Sequence, residues 1–148
     1  MEVLPYLWIC YYDDIDIIKV IKNNKIKGIV HLSNKHEFFK KKDCEEIRAE
    51  IEYNENDNLE VRNNVMYGCL FSITDYIHDK VINTEKILLV GNSNKQDLDT
   101  IIVAYLVRFG KLKIYDSIQF LKTKKENIFD PKCIFFGALS KFYNYLYL

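Results

Sequence analysis

The sequence predicts a three-layer α/β/α domain with a mostly parallel central sheet. Three observations carry that prediction. Strand-like and helix-like stretches alternate along the chain, the order that builds parallel sheets. Lys86–Gly91 (KILLVG) is almost wholly apolar, which suits a strand covered on both faces. That strand leads through a polar loop into a strongly apolar helix, Asp99–Phe109, which Gly110 ends.

The elements are expected in this order. Leu4–Cys10 reads as a strand. Asp13 or Asp14 caps a helix carrying Ile15, Ile18 and Ile21, which stops at Asn23-Asn24. Ile26–Ser33 (IKGIVHLS) reads as a buried strand. Between about 37 and 64 the chain turns acidic, with eight Asp/Glu between positions 43 and 60. Cys44, Ile47 and Ile51 give a narrow helical stripe there, so a solvated helix and then a polar loop, Asn54–Asn58, are expected. Val65–Ile73 (VMYGCLFSI) reads as a strand, and Asp75 as the cap of a short helix to about Asn83. After the strand and helix at 86–109 come two more helices, Ile114–Lys122 and Ile134–Leu148, the second rich in aromatics.

Composition bounds the function. The chain has 148 residues, 49% of them hydrophobic and 28% charged, with only 5 Gly and 2 Pro, which makes one folded domain over 1–148. Lys+Arg and Asp+Glu both number 21, so nucleic acid is not expected as the main partner. No apolar run approaches the roughly 20 residues that span a bilayer, and the start shows no basic leader. An intracellular, cytoplasmic location is expected, that of a host cell if the source is a virus. The 18 Lys, 19 Ile and 13 Asn against 3 Arg fit an A/T-rich genome, such as that of a large DNA virus or a protozoan. Cys10, Cys44, Cys69 and Cys133 form no CxxC and read as reduced thiols. His31, His36 and His78 form no metal-ligand pattern, and no metal or cofactor is expected.

Ligands of parallel α/β sheets bind at the carboxyl ends of strands, so the loop Gly91-Asn92-Ser93-Asn94-Lys95-Gln96-Asp97-Leu98-Asp99 is the candidate site. Here ILLVGNSNKQDLDTIIVAYL resembles the active-site strand, loop and helix of the dual-specificity phosphatases, cysteine-based members of the protein tyrosine phosphatase superfamily. Ala104-Tyr105-Leu106 matches a tripeptide common in that helix. Leu4–Trp8, Ile29–Ser33, Leu70–Asp75, Ile114–Lys125 and Asn127–Phe142 are similar to other pieces of the family in the same order. The resemblance implies a family pattern His-Cys-x-x-Gly-x-x-Arg-Ser/Thr, with a general acid at Asp75. Against that pattern the His falls on Gly91, the nucleophilic Cys on Asn92, the Gly on Lys95, the Arg on Leu98 and the Ser/Thr on Asp99. The interval from Asp75 to Asn92 is also shorter than the family's.

Those residues cannot perform the family's chemistry. A carboxamide is not a nucleophile, whereas the mechanism needs a thiolate stabilised by loop N–H groups. Leu98 offers no donor for a bidentate phosphate clamp. Asp97 and Asp99 would repel a dianion and serve better as caps of the following helix. A lysine forced to φ > 0 at position 95 would be strained, so a relaxed loop is expected. Ser93 and Cys69 are poor substitutes, the first lacking a base and the second expected to be buried. Asp75 reads as a helix cap more readily than as a surviving acid.

Three functions compete. The first is an inactive phosphatase-fold protein that binds or scaffolds another protein. The second is a reader of a phosphorylated ligand that does not hydrolyse it. The third is an enzyme of another kind, for which no nucleophile, base and oxyanion donors assemble in one motif. Protein partners, or a second copy of the chain, would meet the aromatic terminal helix at Phe142, Tyr143, Tyr145 and Tyr147. Other candidate surfaces are the acidic stretch 43–60 and Tyr11-Tyr12 beside Asp13-Asp14.

Overall fold

The computed structural model describes all residues, Met1–Leu148. Its elements are β1 (Glu2–Leu4), β2 (Leu7–Tyr11), α1 (Ile17–Asn23), β3 (Gly28–His31), β4 (Glu45–Arg48), α2 (Leu59–Ile82), β5 (Ile87–Gly91), α3 (Asp97–Phe109), α4 (Ile114–Lys124) and α5 (Phe136–Tyr147). The strands form one sheet in the order β1-β2-β5-β3-β4. Only β1 runs antiparallel, to β2; the other pairings are parallel. This is the predicted three-layer, mostly parallel α/β/α architecture.

β5 is the central strand and every one of its residues is buried. Its uninterrupted apolar run covers both faces. On one face Leu88 and Val90 meet α1 through Ile17 and Ile21. On the other, Ile87 and Leu89 join a larger core supplied by α2, α3 and α5. α3 is the interior helix, with Asp97 to Val107 all buried. A helix apolar on every side must be enclosed by other elements, and α2, α4 and α5 enclose this one.

Several sequence expectations are corrected. Leu4–Cys10 is not one strand: Pro5-Tyr6 turns the chain between β1 and β2, with Tyr6 at φ 72. The N-cap of α1 is Asp16, while the Asp14 carboxylate accepts the Tyr11 N–H at 2.9 Å. The stripe Cys44, Ile47, Ile51 is not helical. Residues 45–48 instead form the edge strand β4, in register with β3 from Gly28↔Glu45 to His31↔Arg48. Its charged residues suit an edge, where one side of the strand lacks a partner.

The largest correction is α2. Val65–Ile73 is not a strand, and no short helix starts at Asp75; both lie in one 24-residue helix. The buried positions Met66, Cys69, Leu70, Ile73, Thr74 and Ile77 follow helical spacing. Asn58 caps the start, its carboxamide oxygen accepting the Val61 N–H at 2.9 Å. The β-branched and aromatic residues that suggested a strand serve this stripe and its flanks, so packing overrides local propensity. No helix is long and apolar enough to cross a membrane.

Candidate functional site

β5 delivers the loop Asn92–Gln96 to the carboxyl edge of the parallel strands, between β2 and β3. Gly91, the last residue of β5, is closed in by two side chains. A Cβ there would stand 3.4 Å from both Leu32 Cδ1 and Leu98 Cβ. Leu98 is 1% exposed and belongs to the main core. The position where the phosphatase resemblance expects a guanidinium is therefore occupied by core packing.

Lys95 is not among the residues with positive φ. Its N–H donates to the Asn92 carbonyl at 3.2 Å and closes the turn. Its ammonium lies 5.2 Å from the centre of the Tyr53 ring. The N–H groups of Ser93, Asn94, Gln96 and the first turn of α3 have no acceptor within the protein, as helix starts commonly do. Gln96 is the N-cap, but its side chain turns away from the helix. Nε2 donates to the Lys132 carbonyl at 2.8 Å, and Oε1 accepts the Ile134 N–H at 2.9 Å.

Asp97 and Asp99 are not caps. Both lie in the first turn of α3 and both are buried. Asp97 Oδ1 accepts the Tyr53 hydroxyl at 2.6 Å. Burial raises the Asp97 carboxyl, against the opposing effects of Tyr53 and Lys95. Asp99 Oδ1 meets Lys125 Nζ at 2.5 Å. Burial pushes Asp99 up to about 7 and pulls Lys125 down to about 8. Asp99 is thereby committed to Lys125.

The substitute nucleophiles fare no better. Ser93 Oγ donates to Asp13 Oδ2 at 3.0 Å on the surface, and no imidazole is bonded to it. Cys69 lies in α2, 8% exposed, its thiol donating to the Met66 carbonyl at 3.0 Å. Burial pushes that thiol up to about 12, so it stays protonated near neutral pH. All four cysteines are free.

A cleft of about 960 Å³ opens over the loop. Its walls are residues 33–36 and 51–57, and Asn92, Asn94 and Lys95 form part of its floor. The first wall is pinned by a buried network that the sequence reading missed. His31 is fully buried; Nε2 bonds Glu46 Oε1 at 2.7 Å, and Nδ1 bonds the Tyr12 hydroxyl at 2.7 Å. Burial lowers the His31 imidazole. Burial would raise Glu46, but hydrogen bonds from His31 and the N–H groups of Phe39 and Lys40 outweigh it and hold the carboxylate low. Arg48 donates to the carbonyls of Ser33 and His36, the latter at 2.8 Å. The signal available in sequence was a histidine at the end of an apolar strand; its partners required the register of β4.

Other predicted sites are dispersed. Asp75 does not line the cleft. It sits within α2, its side chain 61% exposed, paired with Arg108 at 2.7 Å. The segment that overhangs the loop is 51–57, with Glu52, Glu55 and Asp57. The acidic stretch is not one solvated face, since Glu46 is buried on His31 and Glu45 meets Tyr76 and Lys80. The Tyr12 hydroxyl turns inward, and Tyr11 lies under Lys125 at 4.7 Å. Phe142 is fully buried and cannot be an interface residue. Tyr143 packs on Tyr147, whose hydroxyl donates to the Val107 carbonyl at 2.5 Å. Tyr145 is 72% exposed, beside Phe71.

Comparison with known proteins bears on the fold. No family model matches the chain. The 123R protein of Invertebrate iridescent virus 6, provisionally named a tyrosine phosphatase, is 30% identical over 81 residues, 55% of this chain and 56% of that protein. The chain thus matches little more than half of that relative's length. The solved structure of human DUSP28 superposes with a TM-score of 0.79 at 16% identity, covering 98% of this chain and 96% of that one. The human tyrosine phosphatase-like serine/threonine/tyrosine-interacting protein gives 0.77 at 16% identity, over 97% and 95%. The chain has the α/β fold of the dual-specificity phosphatases, with a five-stranded mixed sheet and five helices.

Proposed function

We propose that this protein is a catalytically inactive phosphatase-fold module that acts by binding another protein. The observation that supports the reading is the burial of Leu98, 1% exposed in the core, the residue that the resemblance aligns with the phosphate clamp. Losing one such pre-organised donor costs roughly 3–4 kcal/mol of transition-state stabilisation, about 10²–10³ in rate. Asn92 compounds the loss, because a carboxamide cannot form the phosphoryl-enzyme bond. Two acidic groups also sit badly for acid catalysis: Asp75 is outside the cleft, and Asp97 is committed to Tyr53.

One observation favours a second reading, that of a non-hydrolysing phosphate reader. The N–H groups of Ser93, Asn94, Gln96 and the start of α3 are unpaired, and such groups attract anions. Against it stand the buried Asp97 behind those donors and the tethering of Lys95 over Tyr53. Hydrolysis of an aryl phosphate tests the first reading. The expected result is turnover no greater than that of the Asn92→Ala variant. Turnover in the parent chain that this change abolishes would overturn it.

A further inference from the structure

The cleft offers a different complement from that of an anion receptor. Five asparagines line it, Asn34, Asn54, Asn56, Asn92 and Asn94. None of the five side chains makes a hydrogen bond within the protein, whereas Asn24, Asn58, Asn63 and Asn83 each do. Each carboxamide presents both donors and an acceptor. The floor adds the unpaired N–H group of Asn94. The buried Asp97 carboxyl behind that floor opposes a dianion but not a neutral carbonyl oxygen.

Charge on the rim points the same way. Glu52 and Glu55 are exposed and make no ion pair, and Asp57 accepts only the Asn54 N–H, at 2.9 Å. The adjoining hollow adds Asp13. Of the two lysines in the cleft, Lys95 is held over Tyr53, leaving Lys35. The cleft volume, about 960 Å³, admits several residues of extended chain.

We infer that the cleft binds an extended, unphosphorylated peptide segment bearing Lys or Arg. The carboxamides and the Asn94 N–H group engage its backbone, while Glu52, Glu55 and Asp57 engage its basic side chains. This deepens the reading of the module as a protein binder and names what that binder recognises. Peptide amides match the mixed donors and acceptors of the floor, and the basic side chains complement the acidic rim.

Amide-resolved NMR titration of the whole chain tests it. Three probes are used: Ac-Gly-Ser-Arg-Gly-Arg-Ser-Gly-NH2, the same peptide with both Arg replaced by Glu, and the same peptide with both Arg replaced by phosphotyrosine. The arginine peptide is expected to shift amides at 33–36, 52–57 and 92–96 saturably, and less strongly as salt rises. The double variant Glu52→Gln, Glu55→Gln alters two exposed side chains and should weaken that binding roughly tenfold with the spectrum otherwise unchanged. No shift with the arginine peptide overturns the inference. So does an equal effect of the glutamate peptide, tighter binding of the phosphotyrosine peptide, or undiminished binding by the variant. None of these outcomes depends on aryl phosphate turnover, so failure here is separable from failure of the inactive-enzyme reading.

Discussion

The buried side chains of His31, Asp97 and Asp99 are each bonded to another side chain, and their energetics are testable one at a time. His31 has both ring nitrogens bonded inside the core, and burial depresses its imidazole from the ordinary 6.5. The unfolded chain then binds the extra proton, so stability rises with pH. This contribution is complete above about pH 6.5 and is lost as pH falls toward the lowered folded value. Imidazole nitrogen shifts followed against pH should show His31 titrating below the ordinary histidine value in the folded protein. Titration at or above that ordinary value would contradict the dominance of burial at this ring. The Asp99–Lys125 contact makes a second case. Asp99→Leu strands a half-buried ammonium and should cost about 3 kcal/mol by urea denaturation; adding Lys125→Met should restore most of it. Single and double variants of equal stability would show that the pair is not coupled.

Helices and strands show why some elements were legible in sequence and others were not. β5 and α3 could be read directly, because an all-apolar strand, a polar loop and a helix ended by Gly110 leave little choice. β4 could not, because an edge strand keeps its charges and its partner lies seventeen residues away in the register Gly28↔Glu45. α2 was obscured by its β-branched and aromatic run, and by Gly68 in its middle. That glycine is not required by the backbone or by packing: its φ is negative, and a Cβ there would meet nothing within 4 Å. Gly68→Ala should therefore stabilise the protein by about 0.5–1 kcal/mol in urea denaturation. Destabilisation would mean that α2 does not continue through this position.

Three loops from separate parts of the chain converge over the carboxyl edge of the sheet, and this convergence makes the site. The loop 92–96 was identifiable from sequence because its strand and helix were. Its neighbours were not: Tyr53 reaches Asp97 across 44 positions, and His31 reaches Glu46 only through strand pairing. The cap expected at Asp75 failed because the residue lies inside one long helix rather than at the start of a short one. The assembled molecule has the dual-specificity-phosphatase fold, and our proposal is that buried Leu98 takes the place of the family's phosphate clamp. Titration of the whole chain with tungstate, a stable tetrahedral oxyanion, followed at the amides of Asn92 to Asp99, tests that account most directly. The account predicts no saturable shift at those amides. Saturable binding centred on them, lost when Lys95 is changed to Ala, would contradict it and establish the loop as a working oxyanion receptor.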